Sequence, residues 1–66
     1  MKEKDESLNG KPVIVQDKSH PHNRAVGKVV SCDLLGLIGE YGYKVKPDDY
    51  SGDFYVMDRN HLVIIK

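Results

Sequence analysis

The sequence predicts a small all-β fold built from five short antiparallel strands. Valine, isoleucine and tyrosine come in short runs separated by glycine, proline, asparagine and aspartate, which is typical of strands joined by turns. No apolar i, i+3, i+4, i+7 pattern is sustained over about ten residues, so helix is expected to be a minor component. A closed barrel would also leave no long unpaired strand edge. The 66 residues therefore favour one small antiparallel barrel or a pair of orthogonally packed sheets.

Charge and composition exclude several classes of protein. Ten Lys and Arg residues balance ten Asp and Glu residues, which argues against binding of nucleic acid or anionic membranes through bulk charge alone. No apolar run approaches the roughly 20 residues of a transmembrane helix, and the N-terminal sequence has no apolar stretch typical of a signal peptide. The single cysteine, Cys32, rules out an internal disulfide and a multi-cysteine zinc site. We expect a soluble, cytoplasmic, single-domain protein.

Residues 1–9 are expected to form a disordered charged tail. They hold five charged side chains and two isolated apolar ones, Met1 and Leu8. Such a segment buries too little surface to offset the cost of ordering the chain. The Asn9-Gly10 pair predicts a turn, so the folded domain is expected to span residues 10–66.

The individual strands follow from local composition. Pro12 lies at the start of the first β-branched run, where a strand tolerates it. The polar, proline-containing residues 18–24 predict a long loop, and residues 47–52 predict a hairpin turn. The predicted strands span residues 11–17, 25–32 (extending as far as 35), 41–46, 54–57 and 62–65, with one 3₁₀ turn at residues 58–61.

The predicted core comes from alternate positions of these strands. In the fourth strand two inward sets stay open, namely Phe54 with Val56 or Tyr55 with Met57. The expected core residues are Val13, Val15, Val26, Val29, Val30, Tyr43, Val45, Val56, Leu62 and Ile64.

The order of these signals resembles that of SH3-like barrels. A long polar loop leads to Val26-Gly-Lys-Val-Val30, and a Tyr-x-Val strand, Tyr43-Lys-Val45, follows. A single turn then leads into the last strand, His61-Leu-Val-Ile-Ile65. Over residues 10–66 the pattern is similar to the small KOW-like and Tudor-like barrels of bacterial and phage proteins.

The resemblance implies a binding module and not an enzyme, with RNA, DNA or proteins as partners. Gly27 followed by Val29 fits the KOW pattern in part. Trp is absent, as is an ALYDY-like segment, so recognition of proline-rich peptides is not implied.

Three histidines and the cysteine are candidates for metal or covalent chemistry. His20 and His22, with Cys32 or His61, would offer nitrogen and sulfur ligands, but their spacing matches no established zinc pattern. A polar loop is therefore the favoured interpretation, and no metal or other cofactor is expected. Cys32 beside Asp33 suggests a Cys–His nucleophile, yet so small a barrel has little depth for a catalytic cleft. We expect Cys32 to be a small hydrophobic residue of the core or of a strand edge.

Basic and aromatic side chains supply the candidate binding residues. If the cations converge, they form a local positive surface that contacts phosphates, and tyrosines next to it would stack on bases or line a shallow cage. Aspartates near residues 48–58 would repel phosphate. The candidates are Lys18, His20, His22, Arg24, Lys28, Tyr41, Lys44, Lys46, Tyr50 and Tyr55.

Residues 34–38, Leu-Leu-Gly-Leu-Ile, place four large aliphatic side chains in a segment expected to turn. One interpretation is that they fold over an open barrel end and complete the core, which is favoured because small cores need every apolar residue. The other is an exposed apolar surface, which monomers rarely keep without a partner. In that case Leu34, Leu35, Leu37 and Ile38 would mediate homodimerisation.

Together these features predict a small non-catalytic module that recognises a protein partner. Its recognition surface is expected at residues 18–24, 36–42 and 48–53 and at the rim aromatics. The alternative is KOW-like nucleic-acid binding through Lys18, Arg24, Lys28, Lys44 and Lys46, which would weaken steeply with added salt.

Overall fold

The computed structural model describes residues 3–49 and 52–65, which form one five-stranded antiparallel sheet. The all-β prediction, with one 3₁₀ turn before the last strand, is confirmed. The strands lie in the order β4-β3-β2-β1-β5, so β4 and β5 form the two edges and the sheet is not closed into a barrel. The elements are β1 (Pro12–Val15), β2 (Val26–Leu35), β3 (Glu40–Pro47), β4 (Phe54–Val56), a 3₁₀ turn (Arg59–His61) and β5 (Leu62–Ile64).

A β-bulge in β2 decides which of its side chains face the core. Val29 lies opposite Val45, but the next pair joins Ser31 to Lys44, so Val30 is an extra residue in the ladder. The extra residue reverses the alternation, and Val29 and Cys32 are therefore both buried although they are three positions apart. Val30 itself is exposed.

The buried core corrects three positions of the predicted set. Val26 lies on the outer face of the sheet, Val30 lies in the bulge, and Ile64 lies in the edge strand β5, which has a neighbour on one side only. In β4 the inward pair is Phe54 with Val56. The buried hydrophobic residues are Leu8, Val13, Val15, Val29, Cys32, Tyr43, Val45, Phe54, Val56 and Leu62.

Within residues 3–9, expected to be part of a solvated tail, Leu8 is only 1% exposed and belongs to the core. A turn at residues 6–9 is closed by the Asn9 amide, and the Gly10 amide donates to the Val29 carbonyl at 2.6 Å. Asp5 accepts hydrogen bonds from Tyr43 and Arg59. One well-placed leucine and these polar contacts hold the segment across one end of the core.

Among the described residues, no helix is long and apolar enough to cross a membrane. The inner face of the sheet holds the buried core, and the outer face carries the aliphatic and charged side chains of the candidate site.

Candidate binding surface

A row of three aliphatic side chains crosses the outer face of the sheet. In β1, Val13 and Val15 are buried, so Ile14 between them points outward. Ile14 lies opposite Val26 of β2 on one side and opposite Val63 of β5 on the other. Opposed residues of antiparallel strands project to the same face. Val63, Ile14 and Val26 thus form one partly exposed row across three strands, called here the aliphatic row.

Two lysines lie next to the aliphatic row on one side. Lys28 follows Val26 by two positions on the same face of β2, and it is paired with Lys46 of β3. Like charges placed directly opposite each other destabilise a sheet. The two lysines line a shallow groove of about 310 Å³ together with Val30, Pro47 and Asp48.

A second pair of cations, Lys18 and Arg24, lies on the other side of the row. They line a groove of about 510 Å³ with Ile14, Gln16 and Asn23. Arg24 has φ of 71°, a left-handed conformation that is costly for a residue with a β-carbon.

A bulge at the junction of loop and strand positions Arg24. The Arg24 amide donates to the Val15 carbonyl at 2.8 Å, and the Val15 amide donates to the Ala25 carbonyl at 2.9 Å. Arg24 and Ala25 thus lie opposite the single residue Val15. This is the arrangement of a β-bulge whose first residue has a left-handed backbone. The loop is further held by Asn23, whose side-chain oxygen accepts from the Asp17 amide at 3.0 Å.

The aliphatic row and the two cation pairs make up what we call the basic–aliphatic face. Within residues 3–49 and 52–65, Lys18, Arg24, Lys28 and Lys46 form no ion pair. The two grooves bring these four candidate cations to one surface. The aliphatic members of that surface were not predicted as a site, since Val26 was assigned to the core and strand pairing is needed to align it with Ile14 and Val63.

His20 and His22 lie away from this face and pack on Phe54 of β4. The His22 ring stacks on the Phe54 ring with centroids 4.4 Å apart, and the His20 ring lies 5.2 Å from it. The His22 amide donates to His20 Nδ1 at 3.0 Å, so that nitrogen carries no proton. His20 Nε2 then donates to the Tyr55 carbonyl at 2.9 Å. These contacts give both histidines a structural role, since they cover the free edge of β4.

Lys44 and Tyr55 share the outer face but are engaged with carboxylates. Lys44 lies 3.7 Å from Asp53, and the Tyr55 hydroxyl donates to Asp33 at 3.0 Å. Hydrogen bonds from Ser31 and then from Tyr55 lower the pKa of Asp33, and the bond to Asp33 raises the pKa of Tyr55. The Tyr55 ring covers Gly42, where its Cδ1 atom comes within 3.4 Å of the position that a β-carbon would take.

Tyr41 is half-buried and packs against the core, whereas Tyr50 lies outside the described residues. Tyr43 is fully buried. Among the described tyrosines, therefore, none provides a free stacking surface between the two cation pairs.

Residues 34–38 do not fold over the core as expected. Leu37 is 104% exposed, and Leu34 and Ile38 are each more than half exposed. They form the tip of the β2–β3 hairpin, where the Gly39 amide donates to the Leu35 carbonyl at 2.9 Å. The tip encloses a shallow apolar depression of about 360 Å³ lined by Leu35, Gly36, Leu37 and Ile38. Of the two interpretations, the exposed apolar surface is the one observed.

Cys32 is 1% exposed, which confirms it as a core residue. Its Sγ atom accepts a 3.5 Å hydrogen bond from the Asp5 amide. His61 lies instead beside Asp17, with Nδ1 3.4 Å from Oδ2. In the part of the chain that the structure describes, no group of three or more His, Cys, Asp or Glu side chains is placed to hold a metal ion.

Comparisons with protein-family models, with curated proteins and with solved structures found no match to this chain.

Proposed function

We propose that the protein is a non-catalytic, cytoplasmic binding module that recognises a protein partner through its basic–aliphatic face. The observation that carries this proposal is the alignment of Val63, Ile14 and Val26 in one partly exposed row between two pairs of cations. Contiguous exposed aliphatic surface favours a protein partner because its burial is the main driving force of protein association.

The strand order and the position of the 3₁₀ turn support an SH3-like relationship for this module. The surface of the protein fits a binding role better than a catalytic one. The grooves on the outer face are shallow and open, and the one thiol is buried in the core. A nucleophile needs a base within hydrogen-bond reach and a site that excludes water.

Nucleic-acid binding is the second candidate, and it is favoured by the four cations that form no ion pair with any residue the structure describes. Phosphate contacts need such cations, whereas sequence-tolerant binding of single strands also needs aromatic surfaces for the bases. Lys44 is paired with Asp53, and the described tyrosines are buried, packed on the core or bonded to a carboxylate. Because these contacts occupy Lys44 and the described tyrosines, we place nucleic-acid binding second.

Selection from a random peptide library on the immobilised protein tests the protein-binding function. We expect peptides that are retained by the wild type and lost with Val63→Asp, which places a carboxylate in the aliphatic row. Ile14→Ser is a second variant of the row, and amide spectra check that both variants fold. Leu37→Asp is the matched control, because Leu37 is exposed and lies at the hairpin tip.

If peptide binding is lost only with Leu37→Asp, the binding site lies at the hairpin tip and not on the basic–aliphatic face. Failure to enrich peptides, together with salt-sensitive binding of single-stranded DNA or RNA, would replace the protein-binding function with the nucleic-acid function.

A further inference from the structure

The basic–aliphatic face has a regular layout along the strand direction. Lys28 lies two residues from Val26 on the same side of β2, whereas Arg24 precedes β2 in the bulge and lines a groove with Lys18 and Ile14. Two residues of a strand span about 7 Å. Cations therefore flank the aliphatic row on both sides, and Lys28 does so at the separation of alternate residues in an extended chain.

The Lys28–Lys46 pair concentrates positive charge on one side of the aliphatic row. The two side chains are direct cross-strand partners, and such a like-charge pair is unfavourable unless an anion lies near it. Asp48 lines the same groove and offsets part of this charge. Lys18 and Arg24 add two positive charges at the other groove, so the face as a whole carries a positive excess while the chain is neutral.

An extended peptide matches this layout because its side chains alternate between two faces. Residues i, i+2 and i+4 of such a peptide project to one side. An aliphatic side chain at i+2 would lie on the aliphatic row, and carboxylates at i and i+4 would reach the two cation pairs. A nucleic-acid strand presents phosphates but no aliphatic group to cover the row.

We infer that the partner segment is an extended acidic peptide with an aliphatic residue between two Asp or Glu residues at alternate positions, bound on the basic–aliphatic face. The inference rests on the function proposed above. The carboxylates supply orientation and specificity, and the aliphatic residue covers Ile14 and its two cross-strand neighbours.

A titration followed by amide NMR tests the inference with four synthetic peptides of one length. All have threonine at the intervening positions, and the three alternate positions hold Glu-Leu-Glu, Gln-Leu-Gln, Lys-Leu-Lys or Glu-Ser-Glu. A thymidine oligonucleotide is the fifth probe. We expect the Glu-Leu-Glu peptide to shift the amides of Ile14, Val26, Lys28 and Val63, and to bind roughly tenfold or more tightly than the other peptides.

Lys28→Gln with Lys46→Gln should remove most of this preference, because both residues are exposed and the substitution takes away charge without opening the core. Lys44→Gln is the matched control, since Lys44 lies on the same strand as Lys46 but pairs with Asp53. It should leave binding unchanged. Equal loss in this control would overturn the assignment of the contact to Lys28 and Lys46.

The outcomes separate the inference from the proposed function. Equal or tighter binding of the Gln or Lys peptide to the same amides would overturn the acidic preference and leave a protein-binding face. Absence of shifts with every peptide at millimolar concentration would overturn both. Tighter, salt-sensitive binding of the oligonucleotide at these amides would also overturn both, in favour of nucleic acid.

Discussion

The hydroxyl of Tyr43 in β3 donates a 2.7 Å hydrogen bond to the carboxylate of Asp5, which comes 38 residues earlier in the chain. Arg59 Nη1 lies 3.2 Å from the same carboxylate. This contact joins the N-terminal segment, which contains the buried Leu8, to β3. It has consequences for stability at both ends of the pH scale.

The first prediction concerns pH. Hydrogen bonds from Ser7 and Tyr43 hold the pKa of Asp5 well below its ordinary value, so its stabilising effect is present above about pH 4 and is lost as the pH falls further. Burial, and then the bond to Asp5, raises the pKa of Tyr43, so its effect is present below about pH 10 and is lost as the pH rises through that raised pKa.

Tyr43→Phe removes the bond and should destabilise the protein by about 1 kcal/mol at neutral pH. Urea unfolding between acid and alkaline pH should then show weaker losses at both ends than in the wild type. Identical pH profiles for the two proteins would show that the Asp5–Tyr43 contact does not contribute in solution.

The second prediction concerns Leu8. Because its side chain is buried against the core, Leu8→Ala should lower the free energy of unfolding by about 3 kcal/mol. The exposed neighbour Lys4, substituted as Lys4→Ala, is the control and should change it little. Urea denaturation followed by circular dichroism measures both, and equal stability of Leu8→Ala and wild type would restore the solvated tail.

The third prediction uses the left-handed backbone of Arg24. Arg24→Gly should stabilise the fold by about 1 kcal/mol, because glycine adopts this conformation without steric cost. It should also weaken binding of the acidic peptide. Arg24→Gln separates the two effects, since it removes the charge and keeps the backbone strain; a gain of stability in Arg24→Gln would assign the effect to charge.

The fourth prediction concerns the edge of β4. His20→Ala removes both the hydrogen bond to the Tyr55 carbonyl and a ring packed on Phe54. We expect a loss of about 1–2 kcal/mol and faster amide exchange in β4. Lys18→Ala, in the same loop but exposed, is the control. Unchanged exchange in His20→Ala would show that the loop does not cover this edge.

The fifth prediction concerns the hairpin tip. Exposed Leu34, Leu37 and Ile38 should cause self-association at high concentration, which Leu37→Asp should abolish. Sedimentation velocity over a range of concentrations measures this effect. Val63→Asp, on the basic–aliphatic face, is the control; loss of association in that variant alone would place the contact between copies on the sheet.

Local composition was sufficient to predict the strands and the turns. Runs of β-branched residues such as Val13 to Val15 favour extended backbone whatever they pair with, and the segment at residues 58–61 is too short for an α-helix. Alternation also predicted that Val13, Val15, Val29, Tyr43 and Val45 are buried. These properties depend on residues close together in the chain.

Only the tertiary structure showed which side chains face the core at positions affected by a long-range contact or by an inserted residue. A bulge in β2 shifts the alternation by one residue, so Cys32 is buried together with Val29, while Val30, expected in the core, is exposed. Leu8 entered the core because Asp5 and Gly10 bond to strands that lie far along the chain.

For the candidate site, too, some properties follow from the sequence and others only from the tertiary structure. The sequence alone identified Lys18, Arg24, Lys28 and Lys46 as cations of interest, since their charge is a property of each residue. Only strand pairing placed Ile14 between Val26 and Val63 and put cations on both sides of that row. Charge and strand propensity can be read residue by residue, whereas a surface is made by residues that the register of the sheet brings together.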